Sequence, residues 1–485
     1  MEVIVIIGSL RDPKWIHLRK SLHNVNFIEI SNDLIYTSWN SQYTKASSLL
    51  FDGKNMLPCT DSVVDRPWFL DLVRRWCSTV ICDYSVYLAE CRNFEAALIQ
   101  FFSQYSIIKV FCLYGIAHHV WNNIVESSLS NLGIDSIKFY PLLDSDYSIL
   151  LIGANELNRP FKLQNRCSDY DPNLSHIYDV LSGSLIKSRP KYTDNELKHG
   201  NYYIKNDKIL LSSALTLAIR SIKVTVKSLL KKPYYQFSFS PLLYSSPYSF
   251  VNKVFNLASQ SLYISAYKQI SQPLCLDSLR GQLLLFAHFQ PEATTSPEGG
   301  YTWNHLELID KLKSKFPHLQ IFYKEHPASS LAFDSSKSPT DVGLCRSIAY
   351  LNALQALGVK FLDLDASLTI ENMKRFEIIP VTIGGTVALQ SALNGHYAIY
   401  SGHPWYKYFV ASLPLYQLDS LNADSFLQTM HDNTSEKPDI LLTRFVESME
   451  PFLVANFFGF GLGTPKSDRQ SVSSRIKFLR AMVED

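Results

Sequence analysis

Long apolar runs are missing from this chain. No stretch reaches the ~18–20 consecutive apolar residues that a bilayer-spanning helix needs. The opening MEVIVIIGS has an acid at position 2 and only a short apolar run. It lacks the basic and extended apolar regions of a secretory signal. The expected location is therefore the cytoplasm. Paired cysteine spacing is absent too. Eight cysteines (Cys59, Cys77, Cys82, Cys91, Cys112, Cys167, Cys275 and Cys345) are scattered with no CxxC, and several sit inside apolar runs. This excludes a disulfide framework and a Cys/His zinc site, and fits buried thiols in a reducing compartment. Charge is nearly balanced, with 46 Lys+Arg against 44 Asp+Glu, so net charge by itself points to no partner. One local absence stands out: residues 208–276 contain no Asp or Glu.

At 485 residues the chain exceeds one ordinary core, so two or three domains are expected. Hydrophobic residues make up 46% and charged residues 19%, which are globular values, with a high content of Tyr (27) and Phe (28). Over residues 1–155, strand patterns VIVII (3–7), VNFIEI (25–30), TVICDY (79–84), IIKVFCLY (107–114), SIKFYPL (136–142) and SILLIG (148–153) alternate with helical ones. This βα rhythm predicts an α/β fold with a parallel, doubly wound sheet. Residues 156–207 are polar and loop-rich. The acid-free stretch carries eight basic residues (Lys208, Arg220, Lys223, Lys227, Lys231, Lys232, Lys253 and Lys268) among Leu, Ile, Phe and Tyr, with helical patterns at 209–231 and 249–269. The βα rhythm resumes near Leu283 and continues to about 450. The tail adds helical patterns at 439–457 and 471–485. The predicted organisation is an N-terminal Rossmann-like domain (1–155), a loop-rich and basic helical insertion (156–276), a C-terminal Rossmann-like domain (277–450) and C-terminal helices (451–485) that pack back on the N-terminal domain.

Three apolar runs in the C-terminal domain end in polar clusters. LLLFAHF leads into QPEATTSPEGG, LQIFY into KEHP, and IIPVTIGG into TVALQSALNG and SGHPWY. Ligands of open α/β sheets bind at such carboxyl strand ends. In KEHP, Lys324 offers a point charge and His326 a hydrogen-bond donor, or a full charge when protonated; both suit phosphate. Pro327 stops the strand. Gly384 and Gly385 let a ligand approach the backbone. The next helix, opening on Thr386 as its cap and stopped by Gly395, presents free N–H groups and a positive dipole. Thr382 and Thr386 add hydroxyls. The turn is neither a GxGxxG fingerprint nor a P-loop. Gln290, Glu292, Thr294 and Thr295 form a polar tip fit for a general base or sugar contacts. His403, Trp405 and Tyr406 supply rings that can stack on a base or sugar. Each cluster alone is matched by a surface loop or buried packing; their recurrence at successive strand ends points to one site.

The ordered set QPEATTSPEGG, YKEHP and TIGGTVALQSALNGHYAIYSGHPWY, covering about 125 residues, resembles the bacterial capsule polysaccharide biosynthesis family, which contains Kdo transferases. The resemblance implies a GT-B-like fold: two facing Rossmann-like domains with the basic helical insertion between them. It implies donor-phosphate contacts for Lys324 and His326, with Thr382, Gly384, Gly385 and Thr386 beside them. It also implies base or sugar contacts for Gln290, Thr294, Thr295, His403, Trp405 and Tyr406. The implied activity is an inverting transfer of a sugar from a nucleotide-sugar donor, CMP-linked such as CMP-Kdo, to a capsule or lipopolysaccharide glycan. Bacterial sialyltransferases of the same architecture share the His-Pro motif. Where many Kdo transferases carry Glu in the helix after the turn, this chain has Gln390, and it has no Asp-Asp-Gly or Glu-Asp-Gly element. An epimerase or a polyol-phosphate polymerase are the alternatives within that architecture.

No metal or other cofactor is expected. Asp363-Leu364-Asp365 has the letters of a DxD motif but follows VKFL and reads as a strand-end pair. An inverting displacement needs a base. The candidates are Glu292, His118 and Asp12, with Asp83 and His119 as further options. The acid-free segment has three readings: an insertion with solvated Lys and Arg, a surface for anionic lipid or a lipid-diphosphate-linked acceptor at the inner membrane face, or a nucleic-acid surface with no supporting motif. The expected partners are a nucleotide sugar and a glycan or lipid-linked acceptor, not nucleic acid.

Overall fold

The computed structural model describes residues 2–7, 26–31, 34–39, 42–45, 62–70, 72, 84–112, 120–142, 147–155, 157–162, 174–186, 203–205, 259, 262–288, 298–302, 304–326, 331–333, 346–431 and 436–455. These form an α/β protein with two large sheets, the first mixed and the second parallel.

The first sheet contains β1 (Glu2–Ile7), β2 (Phe27–Ser31), β3 (Leu34–Trp39), β4 (Gln42–Lys45), β5 (Ser106–Cys112), β6 (Ser136–Pro141), β7 (Tyr147–Gly153) and β8 (Arg159–Pro160). Helix α1 (Tyr84–Phe102) precedes β5, and α2 (Val120–Ser130) joins β5 to β6. The centre, β2-β1-β5-β6, is parallel. Its margins are antiparallel: β3 and β4 beyond β2, and β7 beyond β6. The expected wholly parallel sheet is thus confined to the centre. The reason is connection length. The links β2–β3, β3–β4 and β6–β7 are only a few residues long, and a parallel pair requires a crossover of about a dozen residues or more. The expected strand at 79–84 falls outside the described residues up to position 83; Tyr84 already begins α1. Strand β1 is apolar and buried from Val3 to Ile7, whereas β5 is buried only over Val110–Cys112, its first half being more exposed. A buried ion pair, Lys138 to Glu126 at 2.7 Å, ties α2 to β6, and Glu126 also accepts from the Asn155 amide at 2.9 Å.

After β8 come α3 (Leu174–Leu181), a π-helical turn (Ser182–Ile186) and β9 (Tyr203–Lys205). The second sheet is parallel in every pair: β10 (Leu283–Phe286), β11 (Ile321–Lys324), β13 (Lys360–Phe361), β14 (Ile379–Thr382), β15 (Ala398–Tyr400) and β16 (Leu415–Gln417), in the order β13-β11-β10-β14-β15-β16. Besides helical residues 262–270 and the short helix Leu276–Leu279, this region contains α4 (His305–Lys315), α5 (Ile348–Ala356), α6 (Ile370–Arg375), α7 (Thr386–Leu393), α8 (Ala423–His431) and α9 (Pro438–Met449). A small antiparallel pair joins β12 (Leu331–Phe333) to β9. Alternate strand residues serve opposite faces. Leu283 and Leu285 join one core with Ile321, Tyr323, Ile379 and Val381, while Leu284 and Phe322 join another with Met373 and Ile378.

Three boundaries differ from expectation. Helical residues 262–270, placed in the insertion by composition, are built into the second sheet: Tyr263, Ile264 and Tyr267 share the core of Leu283 and Tyr323. Of the eight basic residues in the acid-free segment only Lys268 is described, and it is exposed. The helix expected over 439–457 ends at Met449, because Pro451 has no N–H to continue the ladder. The chain then forms β17 (Leu453–Ala455), which pairs antiparallel with β7 of the first sheet. The final residues, 456–485, lie outside the described residues.

A shared core joins the sheets. Leu142, Ile149 and Leu151 of the first, with Ile177, Leu181 and Leu185, meet Ala388, Leu389, Tyr400, Trp405 and Phe445 of the second. Among the described residues no helix is long and apolar enough to cross a membrane.

Candidate functional site

In the second sheet the chain runs from β10 outward through β11 to β13, then returns to the other side of β10 with β14. Strand order therefore reverses between β10 and β14, where open α/β sheets leave a crevice at their carboxyl ends. Three polar ends meet there: His288 after β10, Lys324-Glu325-His326 at β11, and Thr382 to Gly385 at β14. Parallel register places Phe286 beside Lys324 and Leu285 beside Val381.

The β14 turn is held on several sides. The Gly384 N–H donates to His288 Nε2 at 3.2 Å, and the Gly385 N–H donates to Thr382 Oγ1 at 3.0 Å. Thr382 Oγ1 lies 2.8 Å from the same His288 Nε2. That nitrogen receives a backbone N–H, so it is an acceptor and the ring is neutral. The Ile383 carbonyl accepts from Gly402 N at 2.7 Å, and Tyr406 Oη donates to the Gly385 carbonyl at 3.0 Å. Glycine at 385 is a matter of space, since its φ of −72° is ordinary. A Cβ there would stand 2.8 Å from Thr382 Oγ1 and 3.1 Å from His288 Cε1.

The helix after this turn starts differently from the expected Thr cap. Gly385 is the N-cap, Thr386 is the first helical residue, and no side chain closes the end. The amides of Gly384 and Gly385 are used within the turn. The first N–H groups of α7 itself are the ones that lack intrahelical acceptors. At the other end Gly395 adopts φ of +70°, the left-handed conformation that favours glycine at a helix stop.

Lys324 is only 9% exposed, and its Nζ donates to the Leu364 carbonyl at 3.2 Å. Burial pushes its pKa down to about 8, against the opposing pull of Asp365, Glu325 and Asp363. It remains roughly nine-tenths protonated at pH 7. His326 is partly buried. Burial lowers it to about 4, with Glu325 opposing and Arg346 and Lys324 reinforcing the shift. His288 falls to about 3, through burial first and then the charges of His326 and Arg346. Both rings are therefore uncharged at neutral pH. His326 offers hydrogen bonds rather than the full charge considered above.

Beneath these groups lies a buried polar network that the sequence reading left without a role. Arg346 grips Glu325 through Nε to Oε2 at 2.7 Å and Nη2 to Oε1 at 3.1 Å, both side chains fully buried. Arg346 Nη2 also donates to the His288 carbonyl at 2.7 Å. Tyr263 and Tyr323 donate to Glu325 Oε2, and the His326 amide to Oε1 at 2.8 Å. The His288 amide donates to His305 Nε2 at 3.0 Å, which leaves His305 Nδ1 to meet Tyr350 Oη at 3.1 Å. The rings of His288 and His305 stack 6.1 Å apart at 11°. Burial of Glu325 raises its pKa, but Arg346 and the hydrogen bonds outweigh this and hold it below the ordinary carboxylate value. A histidine closing the run LLLFAH, and an acid inside KEHP, were the visible signals. Arg346 follows a region with no strand or helix pattern and gave none.

The remaining expected site residues divide clearly. His403 is partly buried near the turn, with Nδ1 2.9 Å from Lys407 Nζ and its pKa lowered to about 4, by burial and then Lys407. Trp405 and Tyr406 were expected to stack on a donor base or sugar, and the structure places them in the core. Trp405 stacks on Tyr140 of the first sheet (6.0 Å, 26°) and touches Phe445, while Tyr406 is fully buried and spends its hydroxyl on the Gly385 carbonyl. SGHPWY follows a strand in a region where the sheets pack together, and this packing claims its rings. Asp363 accepts from Ser271 Oγ at 2.7 Å, as befits a strand-end residue. Among the described residues no group of three or more His, Cys, Asp or Glu is placed to hold a metal. Gln290, Glu292, Thr294, Thr295, Pro327, Asp12, Asp83, His118 and His119 lie outside the described residues.

No protein-family model matches the chain, and no curated protein matches it. Among solved structures it is similar to the Thermosulfurimonas dismutans KpsC, beta Kdo 2,7 transferase, at 10% identity and a TM-score of 0.29, covering 86% of this chain and 96% of that one. It is similar to an E. coli trehalose-6-phosphate protein bound with UDP-2-fluoro glucose, at 9% and 0.23, over 100% of this chain and 99% of that one. A third is the UDP-GlcNAc 2-epimerase of Neisseria meningitidis bound to UDP-GlcNAc, at 9% and 0.20, over 100% of both chains. At such identities and TM-scores these likenesses carry no weight, and the functional reading rests on the site itself.

Proposed function

We propose that the protein is a glycosyltransferase of GT-B type that takes a nucleotide-sugar donor and needs no metal. The observation that carries this reading is the switch point between β10 and β14. Lys324 at the end of β11 and the uncapped start of α7 after β14 lie at ends of this one parallel sheet, on either side of β10, with Lys324 Nζ on the Leu364 carbonyl. Lys324 and the first N–H groups of α7 receive the donor phosphate, with His326 adding a hydrogen bond. Such preorganised donors favour the charge that develops on a leaving phosphate. The favoured donor is CMP-linked, such as CMP-Kdo, and the acceptor a growing capsule or lipopolysaccharide glycan or its lipid-linked precursor. The general base comes from Glu292, His118 or Asp12, and Gln290, Thr294 and Thr295 face the donor base or sugar. A sialyltransferase-like use of a CMP-sugar, an epimerase and a polyol-phosphate polymerase are the competing activities.

The test begins with thermal shifts in the presence of CMP, UDP and GDP. A ligand at ~100 times its Kd adds roughly 2.7 kcal/mol of stability, a readily measured change. Transfer from the matching nucleotide sugar is then compared in Lys324→Met and His326→Ala. If both hold the leaving phosphate, each lowers turnover by ~10²-fold or more. Undiminished turnover in both variants, with the fold intact by circular dichroism, overturns the assignment.

A further inference from the structure

His288 has no place in the phosphate contacts just described, yet it sits at the centre of the site. Its backbone is held by side chains just before α5 and on α4, while its ring reaches the end of a neighbouring strand. The carbonyl is taken by Arg346 Nη2 at 2.7 Å and the amide by His305 Nε2 at 3.0 Å. The ring reaches across to β14, where Nε2 accepts the Gly384 N–H at 3.2 Å and meets Thr382 Oγ1 at 2.8 Å. Thr382 Oγ1 in turn accepts the Gly385 N–H at 3.0 Å. The same Arg346 is locked to Glu325, the residue between Lys324 and His326. One continuous chain of hydrogen bonds thus runs from the KEHP tip through Arg346 and His288 to the glycine turn.

This arrangement has a geometric consequence. The direction of the first N–H groups of α7 depends on the two peptides just before it, and glycine gives those peptides no steric preference of their own. Tyr406 fixes the carbonyl of Gly385, but the two amides are fixed only through His288 and Thr382 among the described residues. We infer that His288 is a positioning residue: it sets the Gly384-Gly385 turn so that the open end of α7 and Lys324 address the same anion. This rests on the donor-site reading given above. Nε2 has to remain an acceptor, so a side chain in its place must present an acceptor at the same reach. Gln can do so and Asn is one bond too short.

The test compares His288→Gln, His288→Asn and His288→Phe. Backbone hydrogen exchange is followed in peptides spanning 382–388, and CMP, UDP and GDP binding by calorimetry. In the Asn and Phe variants, exchange at Gly384 and Gly385 is expected to rise about tenfold, equivalent to about 1.4 kcal/mol. The increase should come from local opening, with little dependence on urea. Affinity for the nucleotide that binds the unaltered protein is expected to fall by a similar factor. The Gln variant is expected to stay close to the unaltered protein in both respects. Unchanged exchange in a folded Asn or Phe variant overturns the positioning role, as does an equal loss in Gln. If Phe prevents folding, Asn against Gln decides. If the unaltered protein binds none of the three nucleotides, the donor reading fails, while the exchange result still decides whether His288 holds the turn.

Discussion

The Glu325–Arg346 pair provides the sharpest test of how this site is built. Both side chains are fully buried, joined through two hydrogen bonds, and surrounded by Tyr263, Tyr323 and His305. Arg346→Met fills much the same volume but leaves a carboxylate buried without its cation. Breaking a buried pair from one side typically costs about 3–5 kcal/mol. For a folding unit of roughly 150–250 residues each kcal/mol lowers Tm by about 2–4 °C, so a fall near 10 °C is expected. Glu325→Gln, which strands the guanidinium instead, should cost a comparable amount. The double variant Glu325→Gln with Arg346→Met removes both charges and should be more stable than the sum of the singles, by about 2 kcal/mol or more. The pH dependence has a definite sign. Glu325 titrates below its unfolded value, so its contribution is complete above the unfolded pKa and is lost as pH falls through the folded one. Urea midpoints followed by circular dichroism between pH 7.5 and 3.5 measure all of this. A single Arg346→Met costing less than about 1 kcal/mol, or strict additivity in the double variant, would refute the view that this pair is a mutually dependent buried unit.

Two other predictions concern the histidines of the site and the acid-free segment. His288 and His326 are pushed to about 3 and about 4 by burial, below the unfolded value, so each stabilises the fold fully above about pH 6.5 and less as pH falls through its folded pKa. NMR of the imidazole protons should show neither ring titrating near neutrality; a midpoint above 6 for His288 would contradict its role as an acceptor. For the acid-free segment, the proposal is attachment to an anionic membrane face. Reversing Lys223, Lys227, Lys231 and Lys232 to Glu is expected to abolish flotation with vesicles containing phosphatidylserine, each Lys near such a surface contributing about 1 kcal/mol; unchanged flotation removes that proposal.

Local signals carried much of the fold. Short apolar runs marked β1, β5, β10, β11 and β14, because a strand that is largely buried has to be largely apolar. Helix α7 announced itself by the glycine turn before it and by its stop at Gly395. What failed was anything set by a partner distant in sequence. β7 turns antiparallel because its connection to β6 is short, and residues 453–455 become a strand only because β7 offers an open edge. Trp405 and Tyr406 had the composition of a stacking site, yet a neighbouring sheet takes one ring and a glycine carbonyl takes the other's hydroxyl.

From its sequence alone, this protein is committed to two βα-alternating regions and to polar clusters at three strand ends, among them Lys324 with His326 and the glycine turn, because strand and helix periods and backbone-permissive residues are local properties. Tertiary structure decided how those ends act together. It reversed strand order between β10 and β14, bringing residues nearly a hundred positions apart within hydrogen-bonding distance. It also removed enough water to neutralise two histidines while leaving Lys324 charged. Arg346, which sequence gave no reason to notice, became the link between the KEHP tip and the glycine turn, since a buried carboxylate needs a cation wherever the chain can supply one.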